Sequence, residues 1–213
     1  MLRTNEFMLQ EYINRLEANR ITLISEIEEL YKFDLQTSNA RFNKLIFYTD
    51  ILIKYSMMSY NSAIQDDYTF SYLNLRRMIE AYSYIVLWVY FHISYKEFNE
   101  NFFFKYVKDF KIDKKSKKGI PKIHHLIDCS ELLNCFGNSF VKSNKDIKNS
   151  YKNISEEVLH IPKYKTGYTP LLKKVITFIE VEEHLKLNLL IMQNTCTLFN
   201  YVKKPLINPI TFA

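Results

Sequence analysis

Apolar residues near the start of the chain return every three or four positions. Leu9, Ile13, Leu16, Leu23, Ile27 and Leu30 trace one seam, interrupted only by Arg20. This is a heptad pattern, and it predicts a helix over about 5–32. Two uses fit the seam. Either a partner chain or a second copy docks along it, with Arg20 setting the register, or it lies on the chain's own domain while Arg20 snorkels to water. The next segment, about 38–63, is apolar on more than one side through Phe42, Leu45, Ile46, Phe47, Ile51, Leu52, Ile53, Met57 and Met58. Such a helix sits at the centre of a bundle. Asp66 or Asp67 then offers an N-cap to a third helix over about 68–94.

Punctuation divides the remainder. A shorter helix is expected over about 96–110, followed by a lysine-rich loop closed by Gly119 and Pro121. From Pro121 to about Phe136 the pattern is helical again, with Gly137 as its C-terminal stop. Ser143 or Asn144 caps a helix running to about Leu159, and Thr169-Pro170 opens a last one that ends near Val202 before Pro205 and Pro209. The sum is an all-α fold, a bundle of six or seven helices in one domain, 1–213, whose residues 1–35 form a long N-terminal amphipathic helix.

Composition reinforces the helical reading. Only 3 of the 213 residues are glycine, against a usual share of roughly 7%. Tight β-turns and phosphate-cradling loops lean on glycine, so β-sandwiches, Rossmann folds and P-loops are disfavoured together. The aromatic load of 16 Tyr and 16 Phe recurs at helical spacing, and periodicity outranks strand propensity. The formal charge of +6 and pI of about 9.0 permit contact with nucleic acid or an acidic partner. Much of the excess lies between Lys105 and Lys122. There Lys111, Lys114, Lys115, Lys117 and Lys118 are placed either to track an RNA backbone or simply to solvate a loop. Cys129, Cys135 and Cys196 are an odd set without a framework, which reads as reduced thiols in the cytoplasm. The N-terminus lacks the apolar core of a signal peptide. The longest apolar run, Ala81 to Ile93, is shorter than the ~18 residues of a membrane span. It reads as a core helix, with no membrane partner.

Two short stretches gather polar chemistry. In Arg76-Arg77-Met78-Ile79-Glu80, residues four and three apart on a helix face each other, so both guanidinium groups reach Glu80. They form either a partly buried pair that fixes helix contacts or a polar site. In Tyr151 to His160, the residues Ser155, Glu156 and His160 share a helical face. Imidazole beside a carboxylate is the usual means of moving a proton near neutral pH, and a helix-end histidine interacting with the last carbonyls is the bland alternative. Glu157 and His160 have the Glu-x-x-His spacing of di-iron bundles, but that chemistry needs a second copy of the motif. His124, His125, Cys129 and Cys135 match no zinc module, so no metal and no cofactor is expected. Glu180 and His184, four apart, read as a surface pair.

An arginine followed four residues later by glutamate on an early aromatic helix, with a later Tyr-x-x-x-Ser helix ending in histidine, resembles the layout of HEPN-like helical proteins. The resemblance spans about residues 40–202 as a layout and the two short motifs as sequence. It implies a helical bundle, frequent dimerisation and, in catalytic members, metal-independent cleavage of RNA. Members often serve in prokaryotic toxin–antitoxin or phage-defence systems. On that resemblance the catalytic group is Arg76, Arg77, Glu80 and His160. The hallmark spacing of arginine and histidine on one helix is absent, so here the arginines and His160 have to meet through the fold. The other class of function is a non-catalytic helical interaction module.

Overall fold

The computed structural model describes residues 2–38, 40–65, 67–95, 134–154 and 178–207. Among them are five α-helices and no strand: α1 Leu2–Thr37, α2 Asn43–Ile64, α3 Tyr68–Tyr95, α4 Asn138–Asn153 and α5 Phe178–Ile207, with a 3-10 turn at Asn134–Phe136. The fold is all-helical. The expected helix over 96–110, the lysine loop and most of the 121–136 segment lie outside the described residues, and so does 155–177.

The heptad seam of α1 is used inside the chain. Leu16, Leu23 and Leu30 are buried, with Leu23 at 0% exposure, in the core that α1 shares with α2 and α5. These positions therefore do not form the seam for a partner or second copy that the pattern also allowed. Leucines seven apart find their apolar cover within the same molecule. Arg20 leans outward over the joint, donating from Nε to Glu17 at 2.8 Å and lying 3.3 Å from Met57 Sδ.

Helix α1 runs on through Thr37, further than the seam alone indicates. Its last inward turn carries Phe33 and the buried Asp34, whose Oδ2 accepts the Phe42 N–H at 2.8 Å across the connection. The chain reverses at Ser38, which takes a positive φ of 52°. Helix α2 consequently starts at Asn43 rather than near 38. It lies along α3, the most extensive pairing among these elements. The start of α3 follows the cap expected from the sequence, Asp67 Oδ1 accepting the Phe70 N–H at 3.1 Å. Trp88, Tyr82, Phe42 and Phe199 are the largest fully buried side chains.

Helix α4 departs most from expectation. Gly137, at φ 89°, sits between the 3-10 turn Asn134–Phe136 and α4 as the N-cap of α4, a conformation that glycine adopts without a Cβ clash; most of the helix it was expected to end lies outside the described residues. Ser143 and Asn144 are interior residues of α4 and not its caps. Asn144 is drawn inside by a tertiary network: its Oδ1 accepts the Tyr82 hydroxyl at 2.9 Å, and its Nδ2 donates to the Phe140 carbonyl at 2.8 Å. Asn194 of α5 completes the network, with Nδ2 at 2.8 Å from Ser143 Oγ and 3.2 Å from the Tyr82 oxygen. Burial pushes the Tyr82 phenol above its ordinary pKa, so it stays a neutral donor. Helix α5 extends to Ile207, past the stop expected before Pro205. No helix among the described residues is long and apolar enough to cross a membrane.

Candidate functional site

The cationic turn of α3 is built as its spacing predicts. Arg76 Nε lies 3.3 Å from Glu80 Oε1, and Arg77 Nη1 lies 2.8 Å from Glu80 Oε2. One carboxylate thus holds both guanidinium groups, one on each oxygen. Glu80 is the inner member, 14% exposed, while Arg77 is 56% exposed and faces solvent. The hydrogen bond to Glu80, helped by the carboxylate charge, raises the Arg77 guanidinium further above its ordinary range. It is a permanent cation.

The residue that turns this pair into a site comes from α4. Tyr151 lies under Arg76, with the guanidinium carbon 5.5 Å from the ring centroid, and its hydroxyl is 3.5 Å from Glu80 Oε1. The phenol faces the carboxylate and the ring faces the cation, so one side chain supports both members. Tyr151 belongs to the polar stretch noted in the sequence, but no periodicity on α3 or α4 indicates that the two helices meet there. A third element contributes aromatics. Tyr48 of α2 stacks on Tyr84 of α3, with centroids 4.6 Å apart and planes at 8°, and Phe47 stands edge-on to Tyr48 at 5.4 Å. Burial, then the nearby Tyr48 and Glu80, hold the Tyr84 phenol above its usual pKa.

His160 lies beyond the end of α4, outside the described residues, as do Lys111, Lys114, Lys115, Lys117 and Lys118. So do Glu157 and the candidate metal ligands His124, His125 and Cys129, while Cys135 is exposed. The site as described therefore consists of Arg76, Arg77, Glu80 and Tyr151, with Tyr84 one turn along α3 from Glu80 and Tyr48 of α2 stacked on it.

Two histidines within the described residues have quite different surroundings. His184 is not the surface residue that its spacing from Glu180 suggested. It is buried between α2, α3 and α5, with Nε2 at 2.5 Å from Ser59 Oγ and 2.8 Å from Ser71 Oγ. Ser71 spends its own proton on the Ser59 carbonyl at 2.7 Å, so the contact with Ser71 requires the proton on His184 Nε2. The other nitrogen, Nδ1, has no partner. Small residues on the inner faces of α2 and α3 (Ser56, Ser59, Ala63, Ser71) leave room for this ring and for Asn188, which bonds both Ser56 Oγ at 2.6 Å and the Ser56 carbonyl at 3.1 Å. That run of small buried residues is the sequence signal that identifies the polar seam. His92 is likewise buried, stacked on Trp88 at 4.9 Å, with Arg41 Nη2 3.3 Å from its Nδ1. Burial drives both imidazoles down to about 4, aided at His92 by the Arg41 charge. Buried and held neutral, both rings pack within the helical core.

No protein family, curated protein or solved structure matches this chain.

Proposed function

We propose that the protein is a HEPN-like component of a prokaryotic phage-defence or toxin–antitoxin system that acts on RNA in the cytoplasm. The observation that carries this reading is the Tyr151 contact. It holds the helix that precedes His160 in the sequence against Arg76 and Glu80. In the proposed chemistry His160 takes the proton of a ribose 2′-hydroxyl as that oxygen attacks the adjacent phosphorus. The bond to the 5′-oxygen breaks, and the leaving oxygen is protonated by solvent. Arg76 and Arg77 stabilise charge on the pentavalent phosphorus, and Glu80 holds their planes in position. No metal ion is required by these steps. Lys111, Lys114, Lys115, Lys117 and Lys118 add backbone contacts whose strength falls with salt.

The test is incubation of labelled single-stranded RNA with the wild type, with His160→Ala and with Arg76→Ala/Arg77→Ala. Cleavage by the wild type that is lost in both variants supports the nuclease. A folded wild type that leaves RNA intact removes it.

A second reading, a non-catalytic interaction module, is favoured by a groove of about 530 Å³ between α1 and α2, where Ile24, Ile27, Ile53, Met57 and Met58 share the lining with Arg20, Glu28, Asp50, Lys54 and Asn61. A mixed apolar and charged groove between two helices suits an amphipathic third, from a partner or from a second copy. Mass measurement across a concentration series, with Ile24→Asp as control, decides whether the groove is occupied.

A further inference from the structure

The α2–α3 surface beside the candidate site carries an aromatic arrangement that the proposed chemistry does not use. Phe47 is 57% exposed, although a ring of this size is usually covered. It stands edge-on to Tyr48, which is stacked nearly parallel on Tyr84. One heptad along α3 from Tyr84 lies the exposed Arg77, and one heptad along α2 from Tyr48 lies Tyr55, close enough to act on the Arg77 charge. The aromatic end and the cationic end are thus offset by about 10 Å along the helix axes, to which the step from α2 across to α3 is added. Lys44 and Asp50, both exposed, lie one turn to either side of Phe47 on α2 and offset each other in charge. Glu80 offsets only one of the two α3 arginines. Arg77 gives one hydrogen bond to Glu80 and is 56% exposed, so its guanidinium reaches solvent.

We infer that Phe47, the Tyr48–Tyr84 pair and Arg77 form a binding surface for single-stranded nucleic acid, with a base stacked on the open Phe47 ring and a backbone phosphate on Arg77. The inference rests on the proposed action on RNA and supplies that site with a substrate-holding surface. Three features select the ligand class. Exposed rings offer flat faces, which unpaired bases cover and which paired bases inside a duplex do not reach. At the other end the exposed Arg77 guanidinium suits a phosphate. An axial offset of about 10 Å, with the step between the helices added, is spanned by a few nucleotides of an extended strand. Stacking and phosphate contact do not read the 2′-hydroxyl, so DNA strands bind here as well as RNA.

The experiment uses a short fluorescein-labelled oligodeoxythymidylate, which lacks the hydroxyl needed for cleavage, titrated with the full chain and followed by fluorescence anisotropy at several salt concentrations. The wild type binds it, and a duplex of the same length binds more weakly. Phe47→Ala weakens binding roughly tenfold or more with an unchanged salt slope, and Phe47→Trp restores it. Arg77→Gln weakens binding and lowers the salt slope by about one. Both side chains are exposed, so the variants are expected to fold, and circular dichroism checks this. Binding that is the same in all variants overturns the inference, as does a wild type that binds no single strand. A mass that rises with protein concentration and falls with Phe47→Ala, without strand binding, also overturns it in favour of a protein contact. RNA cleavage dependent on His160, measured separately, leaves the proposed function standing in any of these cases.

Discussion

Tyr151 of α4 places its ring 5.5 Å from the Arg76 guanidinium of α3 and its hydroxyl 3.5 Å from the carboxylate that Arg76 shares with Arg77. The two roles can be separated. Tyr151→Phe keeps the ring under the cation and loses only a long hydrogen bond, at a cost below about 1 kcal/mol. Tyr151→Ala removes a buried ring and the cation contact, at about 3–5 kcal/mol. Urea denaturation measures both, and equal losses contradict the assignment.

Glu80 is the centre of its group, while Arg77 is peripheral. Glu80→Ala leaves two cations without their carboxylate in a partly buried position and costs roughly 1–3 kcal/mol. Arg77→Ala removes an exposed partner and costs less than about 1 kcal/mol. The ordering is read from denaturation midpoints. A larger loss from Arg77→Ala contradicts the geometry.

Acid destabilises the fold through its buried imidazoles. His92 and His184 sit at about 4 in the folded chain, against about 6.5 when unfolded. Between those values the unfolded chain binds more protons, so stability rises with pH. It is complete above about pH 6.5 and drains away as the pH falls towards 4, by on the order of 3 kcal/mol for each ring. Asp34, raised by burial, pulls in the opposite direction within the acidic range, one group against two. Urea midpoints between pH 7.5 and about 4.5 test the sign. A midpoint that stays level or rises on acidification contradicts it.

The two apolar rows of α1 differ in their use. Leu23 is fully buried, whereas Ile21 is 58% exposed. Leu23→Ala costs about 2–5 kcal/mol and Ile21→Ala stays within about 0.5 kcal/mol. Thermal or urea unfolding of the pair is sufficient, and equal effects place the seam on the wrong side of the helix.

The sequence conveys what is local. The α1 seam, the Asp67 cap and the Arg76, Arg77 and Glu80 turn all follow from periods of three and four, and all are present. What it misses is set by distant partners. Asn144 reads as a cap until the Tyr82 hydroxyl and the Phe140 carbonyl claim its side chain. His184 reads as exposed because it lies near carboxylates in sequence, yet it is the serines of α2 and α3 that surround it. Tyr151 carries no local mark of its position beneath Arg76. Helix bounds shifted for the same reason: Ser38 at positive φ and the buried Asp34 decide where α1 gives way to α2.

The account rests on Arg77 and His160 standing on one side of the bundle. The direct measurement is the distance between nitroxide labels at positions 77 and 160, by double electron–electron resonance in a Cys129→Ser/Cys135→Ser/Cys196→Ser background. The prediction is one narrow distribution well under half the roughly 40 Å width of a domain this long. A distribution near the full width puts the imidazole on the opposite face and contradicts the nuclease.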